Sequence, residues 1–304
     1  MILPLPIKLT ECIERLETVY GQNILPALSY IQTGIIEFDD AHGGIPRVGI
    51  SLIASERAHA NTSFALSIAR NAAINQDITT IIIDTQRNGI SVAMRLIAQI
   101  SQIPISFLVT ACINDKLGSD DNTWGGVTHA LSILNETPIL VEDDKISSIT
   151  DLITSLTEII LMEKIGLIVI DGLNFEDNNS SAGSDSQRLF NCYRQLNSLS
   201  FGFNIPIVLT SQIPQIIYKD EKRLPPSLAD FTFNQIDTAG LLMIPYWPNS
   251  VVQENRQPKK TKLAVFKPKD DHPLLFNVDF NPETGTFQKL DNKDELYNPN
   301  NIHQ

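Results

Sequence analysis

The sequence predicts an α/β fold: a mostly parallel central sheet flanked by helices, with added strands at one side. Three observations predict it. Short aliphatic, β-branched runs recur from Val48 onward, each long enough for a strand and too short for a helix. Stretches with helical spacing separate the first five runs, the order expected of a parallel sheet covered on both faces. The last three runs follow one another without a long helix between them, as strands added at a sheet edge would.

The elements follow in chain order. Leu9, Ile13, Leu16 and Tyr20 share one face of a helix over residues 7–20, which Gly21 stops. Residues 22–32 form a connector, because Pro26 prevents any helical continuation. The core strands are expected at 49–54, 80–84, 139–142, 166–171 and 206–210, and the helices at 63–74, 91–100, 149–162 and 187–199. The added strands are expected at 241–245, 262–266 and 274–280. Residues 176–186 are polar, acidic and rich in Gly and Ser, and the segment after Leu290 has little to bury, so both are expected to be loop or disorder. The chain therefore divides into a helix and connector at 1–32, one large domain at 33–290 and a tail at 291–304.

Composition narrows the function classes. With 23 basic and 35 acidic residues the net charge is −12, whereas a domain that grips nucleic acid through its phosphates needs a basic stripe. The cluster Lys259, Lys260, Lys262, Lys267 and Lys269 is a candidate local positive patch or a solvated surface. No apolar run reaches the roughly 18 residues of a membrane span, and the first residues lack a secretory pattern. Cys12, Cys112 and Cys192 are too few and too far apart for a disulfide framework. A cytoplasmic location without membrane association is the expectation.

Several segments, in a fixed order, resemble one family. They are TGIIEFDDAHGGIPRVGISLIA at 33–54, TSFALSIARNAA at 62–73, MRLIAQISQIP at 94–104, ETPILVEDDKISSITDL at 136–152, IGLIVIDGLNF at 165–175, IPIVLTSQIPQ at 205–215 and RLPPSLADF at 223–231. Together they resemble the C-terminal, RecA-like ATPase domain of DnaB-type replicative DNA helicases, and the resemblance runs from Thr33 to about Phe287. It implies a RecA-like P-loop NTPase fold and a role in DNA replication. The helix at 7–20 stands where the family has a linker helix that docks on a neighbouring subunit. Leu9, Ile13, Leu16 and Tyr20 are thus a candidate partner-binding face, for self-association or for a replicative helicase; the alternative is that the helix folds back on its own domain.

The resemblance also locates the chemistry, and much of it has changed. A P-loop uses glycines so that backbone N–H groups can curl round phosphate, a lysine for charge, and a Ser or Thr hydroxyl for magnesium. The matching stretch here is Ser55-Glu56-Arg57-Ala58-His59-Ala60-Asn61-Thr62-Ser63. Ala58 and Ala60 replace the glycines and Asn61 replaces the lysine; Thr62 is kept. Arg57 or His59 is a candidate substitute for the lysine, although neither stands at its position. Gln86 falls where the family has its catalytic glutamate, and an amide cannot take a proton from water; Asp84 is a conceivable replacement. Asp171 matches the Walker B aspartate, which equally suits a turn cap, and Gln212 the sensor glutamine. Lys267 and Lys269 match the Lys-x-Arg pair that reaches a neighbour's phosphate, with the arginine now lysine. The DNA-facing loop after Walker B carries Glu176, Asp177 and Asp185, which repel a phosphate backbone.

The resulting expectation is a pseudoenzyme with a degenerate Walker A motif: a helicase homologue with no cofactor and weak or no direct DNA binding. It would act by association, as a regulator, a loader-like factor or an inactive ring member. The alternative is an active but divergent ATP-dependent helicase in which Thr62 and Asp171 hold the magnesium of a bound ATP.

Overall fold

The computed structural model describes residues 30–55, 58–114, 121–143, 146–173, 185–212, 239–246, 259–267 and 272–289. The helix expected at 7–20, with Leu9, Ile13, Leu16 and Tyr20, lies outside the described residues, as do Arg57, Lys269, most of the acidic loop and the tail.

Nine strands form the central sheet, in the order β11-β10-β9-β8-β3-β7-β6-β4-β5. They are β3 (Ile50–Ser55), β4 (Thr80–Asp84), β5 (Ile139–Glu142), β6 (Leu167–Asp171), β7 (Ile207–Gln212), β8 (Ala239–Tyr246), β9 (Lys259–Phe266), β10 (Leu274–Asn281) and β11 (Thr286–Lys289). The run from β8 to β5 is parallel throughout, and β9, β10 and β11 add antiparallel strands beyond β8. The expected parallel sheet with strands added at one side is therefore what forms.

Alternation along the strands explains the two cores. In β3 and β6, Ile50, Leu52, Ile168 and Ile170 point to one face, where they join Leu152, Leu156, Tyr193 and Leu196. Ile53, Leu167 and Val169 point to the other, against Phe64, Ile68, Ala69 and Ala72. The helices that supply these partners are α2 (Ala58–Gln76) on one side, and α6 (Ile149–Met162) and α7 (Asp185–Phe203) on the other. Burying each large side chain contributes roughly 1.5–3 kcal/mol, so a sheet apolar on both faces has no stable form without both layers. Ser148 caps α6, its hydroxyl accepting from the Asp151 amide at 3.1 Å. Asn88 does the same for α3 (Gly89–Ser101), accepting from the Ser91 amide at 3.1 Å. Among the described residues no helix is long and apolar enough to cross a membrane.

Two helices appear where the sequence reading assigned no element. They are α4 (Ile105–Asn114), which Pro104 opens, and α5 (Asp121–Glu136). The first is rich in β-branched residues and the second contains Gly125 and Gly126, so neither has much intrinsic helix propensity. Tertiary packing supports them: Leu108 of α4 and Val127 of α5 bury themselves against Ala98 of α3.

The Thr-Gly opening of the domain is a small knot. A two-stranded ribbon pairs β1 (Tyr30–Ile31) with β2 (Ile45–Pro46), around α1 (Ile36–His42); Tyr30 and Ile31 are thus strand, where the sequence predicts a connector. Asp39 accepts from the Thr33 amide, the Thr33 hydroxyl and the Gly34 amide, each at 2.9 Å. Burial raises its pKa, against the lowering effect of these donors. Gly44 has φ of 114°, and a Cβ there would collide with the Ile31 carbonyl oxygen. Gly44→Ala is accordingly expected to cost about 2–3 kcal/mol. Chemical denaturation of the variant beside the unaltered chain checks this, and equal midpoints would refute it.

Candidate functional site

The carboxyl ends of β3, β4, β6 and β7 open on one cleft of about 210 Å³. Parallel strands end on the same side of a sheet, so residues distant in sequence arrive there together. Asp84 closes β4 and Asp171 closes β6, and the two are register partners on adjacent strands. The first turn of α2 follows β3 and brings Asn61 and Thr62 to the same place.

Asp171 is the hub. Its Oδ2 accepts from the Thr62 hydroxyl at 2.7 Å and its Oδ1 from the Thr210 hydroxyl at 2.6 Å. Thr210 in turn accepts from the Gly172 amide at 2.9 Å. Arg87 adds a cation, with Nη1 3.4 Å from Asp171 Oδ2 and 3.3 Å from Asp84 Oδ2. Burial pushes the Asp171 pKa above its ordinary value of 3.8; the Thr210 and Thr62 hydroxyls oppose the rise, Asp84 adds to it and Arg87 offsets it.

A turn fixes Arg87 itself. Asp84 Oδ1 accepts from the Gln86 and Arg87 amides, both at 2.9 Å. The Thr85 amide donates to the Asp171 carbonyl at 3.3 Å, so the turn after β4 is stitched to the end of β6. Behind it lies Arg95, whose pKa is lowered by burial and by the nearby Arg87, with Asp171 and Asp84 acting in the opposite sense.

Asn61 is 2% exposed. Its amide nitrogen donates to the Ser211 carbonyl at 2.6 Å, while its side-chain oxygen is buried and meets no donor among the described residues. The helix starts at Ala58 and not at Ser63 as the sequence reading expected, so residues 58–62 are helical backbone. Ala60 and Ser63 are buried, and the Ser63 carbonyl accepts from Gln99 Nε2 at 2.9 Å. Ala58 and His59 lie in the first helical turn.

The residues singled out from sequence thus divide. Asn61, Thr62, Gln86, Asp171 and Gln212 line the same cleft, and Gln86 and Gln212 are exposed there. Lys267 does not line it; it is exposed just beyond β9, close enough to His42 to depress the imidazole pKa, after the larger effect of burial. The reading missed Thr210, Arg87 and Tyr193, which also line the cleft. A threonine near the end of a buried aliphatic strand was the one available signal for Thr210, since a hydroxyl there needs a polar partner.

Residues 30–289 match the family model described as DnaB-like helicase C-terminal domain. The chain is 25% identical over 199 residues to the replicative DNA helicase DnaB of Synechocystis sp., covering 64% of this chain and 22% of that one. It is 24% identical over 196 residues to the DnaB of Geobacillus stearothermophilus, covering 64% and 42%. The chain therefore spans less than half the length of either helicase. Among solved structures, an ATPase domain superposes with TM-score 0.77 at 19% identity, covering 91% of this chain and 98% of that one. A DnaB-like replicative helicase, described with its interactions with primase, superposes with TM-score 0.75 at 16% identity, covering 94% and 68%. At these identities the structural likeness speaks for the fold.

Proposed function

Since the chain belongs to the DnaB-like helicase C-terminal domain family, we propose that it serves DNA replication as a non-hydrolysing helicase homologue. It acts by associating with a replicative helicase, another replication protein or its own kind. The observation that carries this reading is Asn61. At the lysine's position in the resemblance stands a neutral amide that donates one N–H to the Ser211 carbonyl and buries its oxygen, an acceptor. A triphosphate consists of acceptors and needs donors and positive charge, and this group brings no charge and turns an acceptor inward.

The other side of the cleft supports the same reading. Magnesium binds through a hydroxyl and a carboxylate that are free to turn toward it. Here the carboxylate, Asp171, already faces the Arg87 guanidinium and accepts from Thr210, and the residue at the catalytic glutamate's position is Gln86. These residues do not fit a magnesium nucleotide.

The proposed partners are those the family relationship supports. A replicative helicase ring or a primase-type replication protein is the class that such a fold meets, and a face at Leu9, Ile13, Leu16 and Tyr20 is the proposed docking element. Weak or absent DNA binding accords with the net charge of −12.

One observation favours the second reading, an active divergent ATPase: the pair Thr62 and Asp171 stands together at 2.7 Å. A single titration separates the two. A fluorescent ATP analogue with magnesium is expected to show no binding to the full chain at millimolar nucleotide, beside an active DnaB-type helicase as control. Micromolar binding, with ATP turnover that disappears in Asp171→Asn, would instead establish the divergent helicase.

A further inference from the structure

We propose that the Arg87 guanidinium is the resident cation of this cleft. It holds Asp84 and Asp171 together at the strand ends and keeps the site assembled without a divalent ion. The inference rests on the reading that the cleft does not work through a magnesium nucleotide, and it says what has taken the metal's place.

The register sets two acids side by side. Asp84 and Asp171 are partners on adjacent parallel strands, with side chains only 3% and 10% exposed. Two carboxylates so placed repel each other in a medium that screens poorly, and one of them must be protonated or a cation must lie between them. One nitrogen of Arg87 does lie between them, 3.3 Å from one carboxylate oxygen and 3.4 Å from the other.

The cation is also preset. Its backbone amide and that of Gln86 are both held by Asp84 Oδ1 at 2.9 Å, so the turn aims the side chain before any ligand arrives. Asp171 has both oxygens engaged by hydroxyls as well. Arg95 behind the turn lies within the field of both carboxylates and adds to the positive potential that Arg87 supplies. An added divalent ion would have to enter against the guanidinium already lying between the two acids. A guanidinium stays charged at every physiological pH and cannot dissociate, so the ends of β4 and β6 are held in one arrangement.

Manganese, a paramagnetic stand-in for magnesium, tests this on the full chain without nucleotide. Electron paramagnetic resonance is expected to detect no Mn²⁺ bound to the unaltered protein at millimolar metal. Arg87→Ala should gain a site at least roughly 10-fold tighter, because two carboxylates lose their cation. Arg87→Ala/Asp171→Asn should lose it again, and Arg87→Lys, which keeps the charge, should bind none.

Mn²⁺ bound by the unaltered protein and lost in Asp171→Asn overturns the proposal, as does a folded Arg87→Ala that gains no site. If Arg87→Ala does not fold, Arg87→Gln, which keeps the bulk and removes the charge, takes its place with the same two outcomes. Metal binding without nucleotide defeats this inference alone, whereas ATP-analogue binding defeats the functional reading on which it rests.

Discussion

Asp171→Ala is expected to lower stability by about 3–5 kcal/mol, because it removes one partner of a buried ion pair and leaves the others uncompensated. The Thr62 and Thr210 hydroxyls lose their acceptor, and Arg87 keeps only Asp84. For a chain of this size each kcal/mol shifts the melting temperature by about 2–4 °C, so a fall on the order of 10 °C should be read by thermal denaturation. Asp171→Asn should behave differently. Its amide oxygen still accepts from Thr210, and its amide nitrogen donates to Thr62, whose hydroxyl can rotate to accept. What it loses is mainly the charge facing Arg87, a cost of about 1.5 kcal/mol or less at neutral pH.

The pair of variants also has a pH signature. Burial raises the folded-state pKa of Asp171 above the ordinary 3.8. A carboxyl raised in this way contributes stability that is fully present below 3.8 and is lost as pH rises through the folded value. The advantage of the unaltered chain over Asp171→Asn should therefore grow as pH falls from neutrality toward 3.8. Asp39, whose pKa is also raised, is common to both proteins and cancels. Melting curves at several pH values check this; an advantage that shrinks on acidification would mean that the Arg87 pair, and not burial, governs the titration.

Much of this was legible in the sequence, for particular reasons. The core strands could be read because Ile and Val runs such as residues 80–83 and 167–170 serve two buried faces at once. The α4–α5 pair could not, because its helicity depends on packing against Ala98 and not on its own residues. Thr62, Asp171, Gln86 and Gln212 could be located because ordered motifs surround them, and the sheet brings them to one cleft. Arg87 could not be given a role: an arginine after a strand is ordinarily a surface residue. Its meaning here depends on the pairing of Asp84 with Asp171, a register between strands far apart in the chain.

If polarity at Asn61 is what keeps nucleotide out, restoring the cradle should let it in. The triple variant Ala58→Gly/Ala60→Gly/Asn61→Lys returns backbone freedom at the start of α2 and places an ammonium on the cleft wall, where Asn61 now stands. A charge-assisted contact to phosphate contributes about 1.5–3 kcal/mol, so ATP-analogue affinity should rise about 10- to 100-fold over the unaltered chain. The change has costs. The bond to the Ser211 carbonyl is lost, at about 1 kcal/mol, and each glycine in a helix costs roughly 0.5–1 kcal/mol, so the variant should also melt lower. Magnesium then separates the two halves of the site. With Arg87 still against Asp171, the restored affinity should be insensitive to magnesium, and adding Arg87→Ala should make it magnesium-dependent. A triple variant that folds yet binds no nucleotide would show that the lysine position is not the barrier.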